Sequence, residues 1–209
     1  MCRDAIAADR RIPPAPAAPA AVELTLIRHP RPALPAGTCI GRTDVECAAG
    51  WEAHAERLAR LIAAPDRLFT SPARRCQVLA ERLGSAYRLK PAADARLNEL
   101  DFGEWEGQRW SDIGHSATQI LGGGDFFDQA PPGGESYRDL TTRIDAFLEE
   151  LGASFERIAV VTAAGPIRAI LVRCLELPAE SGARFDVGFG RTTRLSERGG
   201  SWRLEVLNA

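Results

Sequence analysis

Leu24, Thr25, Leu26 and Ile27 run without interruption into Arg28-His29-Pro30. A short apolar run bounded by proline and glycine predicts a buried strand, parallel and central in its sheet, with both faces covered. The pattern recurs at Ile158-Ala159-Val160-Val161-Thr162, which leads into Ala163-Ala164-Gly165-Pro166. Between the two runs the spacing turns helical. Trp51, Ala55, Leu58, Leu61 and Ile62 predict a helix over residues 51–63, closed by Pro65. Arg67-Leu68-Phe69-Thr70 predicts a short strand. Ser71 as N-cap and Pro72 in the first turn predict a helix carrying Arg74, Arg75, Val78, Leu79 and Leu83, stopped at Gly84. Residues 87–90 predict a third strand. Leu140, Ile144, Phe147, Leu148 and Leu151 form the buried stripe of a helix over residues 135–151. Pro166 suits the first turn of another, running through Leu171 to Cys174. Residues 192–196 and 202–207 predict a terminal hairpin turning at Gly199-Gly200. Strands alternating with crossover helices predict an α/β fold, a three-layer α/β/α arrangement with a mainly parallel central sheet and helices on both faces.

The remaining stretches follow neither period. Residues 1–21 are rich in alanine and proline and predict a disordered arm, leaving 22–209 as one folded domain. The arm lacks the apolar segment of a secretory signal. Residues 30–50 read as a loop punctuated by prolines and glycines. Leu97-Asn98-Glu99-Leu100-Asp101-Phe102-Gly103-Glu104-Trp105-Glu106-Gly107 reads as an ordered loop rich in titratable groups, with Trp105 packed beneath it. Residues 109–134, with Gly122-Gly123-Gly124 and Pro131-Pro132-Gly133-Gly134, read as a mobile cover with one short helix.

Composition narrows the function classes. The chain has 209 residues, 45% apolar and 26% charged, with a formal net charge of −2. That balance offers nothing to nucleic acid or to an anionic membrane surface. No apolar run approaches the roughly 20 residues of a membrane-spanning helix. Five cysteines, odd in number and without a Cys-x-x-Cys pair, fit a reducing cytoplasm. Cys39 and Cys47 flank one loop, but no His, Asp or Glu spacing there supports a metal site, and no cofactor motif is present. His54 reads as a surface or half-buried helical histidine, and His115 as a surface polar residue.

Chemistry-bearing residues stand at predicted strand ends and in loops. They are Arg28-His29, Arg74-Arg75 and Glu99. An open α/β sheet places its ligand crevice at the carboxyl ends of its strands. Guanidinium forks match phosphate oxygens. A neutral imidazole is a competent nucleophile, and a carboxyl facing a phosphate dianion is driven toward the protonated form that can donate to a leaving oxygen. Ala163-Ala164-Gly165 opens a helix and aims backbone N–H groups at the same crevice. This set suits phosphoryl transfer without a metal ion.

The motifs resemble those of the histidine phosphatase superfamily, the phosphoglycerate mutase-like proteins. Leu26-Ile27-Arg28-His29 is similar to its signature, Gly41-Arg42-Thr43-Asp44 with Gly50 to its next block, and Thr70-Ser71-Pro72-Ala73-Arg74-Arg75 to its Ser-Pro-x-Arg-Arg helix start. Leu97-Asn98-Glu99 with Phe102 to Gly107 resembles its acid loop, and Pro131-Pro132-Gly133-Gly134-Glu135-Ser136 also matches. The resemblance implies a phosphohistidine at His29, phosphoryl clamping by Arg28 and Arg75, and proton donation by Glu99. It places Arg42, Thr43, Ala163 and Ala164 near a small phosphomonoester substrate. Arg-His-Pro-x-Pro with Gly-Arg-Thr-Asp looks most like the α-ribazole phosphatase branch, whose members act in cobalamin synthesis.

One departure stands out. Where the family carries a second histidine this chain has Ala163, and a methyl group cannot donate to a phosphoryl oxygen. The resemblance then implies a phosphatase of reduced activity. The alternatives are a phosphate-ligand-binding homologue without turnover, a mutase-like enzyme, or an active enzyme in which Thr162 or a loop residue fills the gap. Glu135 and Ser136 read as helix caps, and Arg31, Arg42, Arg168 and Arg173 read equally well as solvated arginines.

Overall fold

The uninterrupted apolar runs resolve into two faces. In the first strand, β1 (Val22–Arg28), Leu24 and Leu26 point to one side of the sheet and Ile27 to the other; in β4 (Arg157–Thr162), Ile158 and Val160 oppose Ala159 and Val161. Each face is covered, so alternation of side-chain direction demands apolar residues at every position. The computed structural model describes residues 22–114, 127–151 and 156–209. The expected arm over residues 1–21, His115 and the glycine run at 122–124 lie outside the described residues.

Helices α1 (Trp51–Leu61) and α2 (Arg74–Tyr87) cover one face, burying Ala55, Leu58, Leu79 and Leu83 against Ile27, Ala159 and Val161. The second long helix pair covers the other. With α3 assigned to the short turn Trp110–Ile113, these are α4 (Tyr137–Leu151) and α5 (Ala164–Cys174), which bring Leu140, Ile144, Phe147, Ile167 and Ile170 onto Leu24, Leu26, Ile158 and Val160. The six-stranded order is β3-β2-β4-β1-β5-β6, with β2 at Arg67–Thr70, β3 at Ala92–Ala93, β5 at Thr192–Arg198 and β6 at Ser201–Val206. The first four are mutually parallel, while β5 runs antiparallel to β1 and to β6. This is the expected three-layer α/β/α arrangement. The terminal hairpin turns on Gly199 and Gly200, both at positive φ (62° and 83°), the backbone that a tight two-residue turn requires.

Several local expectations change. Gly84 does not stop its helix. It is buried within α2, where a Cβ would stand 2.5 Å from the carbonyl oxygen of Leu89, so it serves close packing. The helix continues to Tyr87 and ends on Arg88 in the left-handed conformation. The third strand is therefore not at residues 87–90 but at Ala92–Ala93, after Pro91. Helix α2 begins at Arg74 rather than beside Ser71. Ser71 Oγ accepts from Ala73 N–H (3.2 Å) and donates to Asn98 (2.7 Å), tying the turn to the acid loop. Helix α1 ends at Leu61, which is 66% exposed and lies off the buried stripe. Ser136 caps α4 as expected: its Oγ accepts from Asp139 N–H and its own N–H donates to the Asp139 carboxylate, both at 3.1 Å.

Candidate active site

Strand register brings the tip residues together. Arg28 pairs with Thr162, and one step further the N–H of His29 donates to Thr162 O (2.9 Å), which sets Ala163 beside His29 at the end of the neighbouring parallel strand. Alternation past the strand turns His29 toward α2 and Arg28 toward α5.

The hydrogen-bond partners of His29 define its tautomer. Nδ1 lies 2.7 Å from Pro30 O, which can only accept, so Nδ1 carries the proton. Nε2 then presents its lone pair and accepts from Arg75 Nε–H (3.3 Å). Burial drives the His29 pKa well below its ordinary 6.5, and the Arg75 and Arg28 charges push the same way against the Pro30 carbonyl. The ring is neutral, with the unprotonated Nε2 as its nucleophilic atom and Arg75 Nε–H as the present partner of that lone pair.

Arg75 is 1% exposed, and neutral acceptors hold it. Nη1 donates to Thr43 O (2.9 Å) and Nη2 to Gly41 O (2.6 Å). Its neighbour Arg74 turns outward, with Nε on Glu46 (2.6 Å) and its backbone N–H on Asp44 Oδ1 (2.8 Å); only one arginine of the pair belongs to the site. Asp44 thereby supplies the cap that α2 otherwise lacks.

Arg28 donates through Nη1 to Val187 O, and its guanidinium carbon sits 3.7 Å from the centre of the Phe189 ring, which in turn lies 5.5 Å from the His29 ring. Its Nε is buried with no hydrogen-bond partner among the described residues. Burial lowers its pKa to about 10; Glu99 and Asp186 oppose the fall while Arg168 and Arg75 deepen it, and the group stays charged at neutral pH. Arg168 is half-buried on α5 with its Nε on Phe185 O (3.2 Å), so it faces the site region and not open solvent, whereas Arg173 pairs with Asp145 at the surface.

Glu99 is buried. Gly165 N–H, in the first turn of α5, donates to both its oxygens (3.0 and 3.2 Å), and Leu100 N–H donates to Oε1 (2.9 Å). A Cβ on residue 165 would lie 2.1 Å from Glu99 Oε1, so this approach depends on glycine. The Thr162 hydroxyl donates to Leu97 O and does not face the crevice. Ala163 is 1% exposed, and Ala164 begins α5. Thr43 gives its hydroxyl to Glu106, and Arg42 lies 3.5 Å from both Asp101 and Glu135, so both are committed to the loop network. Trp105 is buried with Cys39 and Ile113, packing beneath the acid loop as expected. His54 lies near Gly190 O (2.5 Å), holding the loop that carries Phe189. Burial raises the Cys39 thiol to about 12 and the Cys47 thiol to about 11. Among the described residues no helix is long and apolar enough to cross a membrane.

Sequence reasoning missed Phe189, Val187 and the role of Glu106. The first two sit in a loop without periodic signal. Glu106 stood inside the motif at residues 102–107 without a role of its own.

Residues 24–209 match the profile of the histidine phosphatase superfamily (branch 1), and the chain belongs to that superfamily. It is 28% identical over 117 residues to the adenosylcobalamin/alpha-ribazole phosphatase of Salmonella typhimurium, covering 54% of this chain and 58% of that relative. A 2,3-bisphosphoglycerate-dependent phosphoglycerate mutase of Azorhizobium caulinodans is 32% identical over 109 residues, 49% of this chain and 52% of the relative. The chain thus spans little more than half the length of these curated relatives. Solved structures align more fully. The alpha-ribazole phosphatase of Shigella flexneri superposes with a TM-score of 0.80 at 25% identity, over 90% of this chain and 96% of that one. The mycobacterial glucosyl-3-phosphoglycerate phosphatase in complex with inorganic phosphate gives 0.78 at 26%, over 90% and 97%.

Proposed function

We propose that this protein hydrolyses a small phosphomonoester through a phosphohistidine at His29, without a metal ion, on a leaving group of the α-ribazole kind used in cobalamin synthesis. One observation carries the reading: a buried neutral imidazole whose Nε2 lone pair lies 3.3 Å from Arg75 Nε. Nε2 attacks phosphorus, an N–P bond forms and the ester P–O bond breaks, while Glu99 in its acid form gives a proton to the departing oxygen. Water then attacks the phosphohistidine, Glu99 takes the water's proton, and the N–P bond breaks to release phosphate. Arg75 has three of its five N–H groups on His29, Thr43 and Gly41, and the other two remain for phosphoryl oxygens. Arg28 supplies the second clamp. These guanidiniums take the charge-neutralising part that a metal plays elsewhere. The leaving group is inferred from the Salmonella and Shigella relatives.

Ala163 reduces this activity. The position beside His29 offers a methyl group where a donor to the phosphoryl oxygen would stand. Loss of one such donor costs roughly 10²–10³ in rate. The same observation favours a second reading, a phosphate-ligand-binding homologue without turnover; the Azorhizobium relative favours a mutase-like activity. Turnover of α-ribazole 5′-phosphate, 3-phosphoglycerate and p-nitrophenyl phosphate by the wild-type chain and by Ala163→His tests all three. The expected result is a gain of about 10²–10³ in the variant, largest on α-ribazole phosphate, with phosphohistidine detected by mass spectrometry. Phosphate binding without any gain points to the non-enzymatic reading, and transfer between glycerate oxygens to the mutase. Activity that survives His29→Ala overturns the mechanism.

A further inference from the structure

We infer that Glu106 is a positioning residue that acts through Arg75 on the His29 nucleophile. The inference rests on the reading of His29 and Arg75 as the reacting pair.

A single carboxylate gathers the loop that holds Arg75. Glu106 Oε1 accepts from Arg42 N–H (2.7 Å) and from Phe102 N–H (3.3 Å). Oε2 accepts from Thr43 N–H (2.6 Å) and from the Thr43 hydroxyl. The same short segment presents the carbonyls of Gly41 and Thr43 to the two terminal nitrogens of Arg75. Nε of that guanidinium then meets His29 Nε2. The path is continuous: Glu106, the backbone of residues 41–43, Arg75, His29. The contact is also close. A Cβ at position 41 would fall 2.4 Å from Glu106 Oε1 and 2.3 Å from Leu100 O, so Gly41 lets the carboxylate and the acid loop approach the backbone.

The arrangement favours the ionised form. Three of the four partners are backbone N–H groups, which can only donate; a carboxylate accepts from all four, whereas the amide nitrogen of a glutamine would face a backbone N–H with nothing to accept. Burial alone would push the Glu106 pKa up, but the Thr43 hydroxyl and the three backbone N–H groups together bring it below the ordinary carboxylate value. Glu106 makes none of these contacts with His29 itself. Its effect on the nucleophile passes through the rigid pose of Arg75, and a displacement of order 1 Å at a reacting pair is enough to cost large factors in rate.

The test uses the full chain with Glu106→Gln, Glu106→Ala and Thr43→Ala, and Glu104→Gln as the control, since Glu104 is an exposed acid of the same loop. Two readouts are taken: ¹⁵N correlation spectra of the His29 ring, assigned with His29→Ala, and the dissociation constant of orthovanadate as the phosphoryl probe. Glu106→Gln is expected to weaken vanadate binding about tenfold and to move the His29 Nε2 resonance. Thr43→Ala should do so less, and Glu104→Gln not at all. The inference is overturned if folded Glu106 variants keep the wild-type ring spectrum, whatever happens to their melting temperature or vanadate affinity. It is also overturned if Glu106→Gln, matched in size, does not fold, because the residue is then a structural one. Neither readout needs turnover, so a failure of the phosphohistidine reading, seen as activity that survives His29→Ala, is told apart from a failure here.

Discussion

Burying a neutral imidazole carries a thermodynamic signature. His29 is 4% exposed, and its pKa in the folded chain lies well below 6.5, chiefly through burial and then through Arg75. In the unfolded chain it returns to about 6.5. Below that pH the unfolded state binds a proton that the native state does not, so stability falls as pH falls, and the loss stops only at the folded pKa. One unit below the unfolded pKa the cost is about 1.4 kcal/mol, and each further unit adds about the same. Above pH 7 both states are neutral and the term vanishes. Urea unfolding at pH 7.5 and pH 5.5, on the wild type and on His29→Asn, isolates it, because every other titrating group cancels in the difference. Wild type is expected to lose about 1.4 kcal/mol more than the variant between the two pH values. Equal losses would refute the assignment of a buried neutral ring. The same depressed pKa keeps Nε2 unprotonated across this range, so acid loss of activity there must come from a group other than the nucleophile.

Three substitutions probe the supports of the site. Gly165→Ala puts a methyl group 2.1 Å from Glu99 Oε1 and must displace the carboxyl; kcat on alkyl phosphates, which need protonation of the leaving oxygen, should fall more than kcat on p-nitrophenyl phosphate. Arg143→Met removes the guanidinium that grips Glu135 through Nε (2.6 Å) and Nη2 (3.0 Å) and donates to Glu99 O (3.1 Å); Glu135 keeps the Asp101 N–H (3.2 Å) and Arg42 (3.5 Å), so chemical denaturation should show a loss of about 2 kcal/mol rather than the larger penalty of an unpaired buried charge. Gly84→Ala reverses the usual helix rule: propensity alone would add about 1 kcal/mol, but the 2.5 Å approach to Leu89 O should lower the melting temperature instead.

What could be read from the chain, and what could not, divides by range. The strands at Leu24 and Ile158 were legible because a run apolar at every position has one economical reading, a strand covered on both sides. The tip residues Arg28 and His29 followed from strand direction, and the cap at Ser136 from three neighbouring letters. Gly84 was misread because a stop signal and a close-packing site carry the same letter, and only the distant Leu89 carbonyl distinguishes them. Local pattern alone did not separate Arg74 from Arg75; only the family resemblance pointed to Arg75. The choice is decided by Asp44 and Glu46, about a loop away, which draw Arg74 outward. Thr162 looked free at its strand end, but its hydroxyl is spent on Leu97 O. Phe189, which faces both Arg28 and His29, reaches the site through tertiary packing that no local pattern announces.

The arginines sort themselves by what they touch. Arg42, Arg74, Arg96 and Arg143 end on carboxylates, Arg42 on Asp101, Arg74 on Glu46, Arg96 on Glu150 and Arg143 on Glu135. Arg28 and Arg75 end on carbonyl oxygens, and Arg28 also on an aromatic face. A carboxylate partner cancels a guanidinium charge and competes with any incoming anion. A carbonyl or a ring face supplies only partial charge, enough to hold a buried cation in place without quenching it. The burial that lowers the Arg28 pKa to about 10 is the measure of this incomplete compensation. On the proposed mechanism, two guanidiniums held by neutral acceptors beside a neutral imidazole keep charge to offer a phosphoryl dianion. Arg168 shares this kind of partner through Phe185 O, so Arg28 and Arg75 are set apart by their place beside the His29 ring as well as by what holds them.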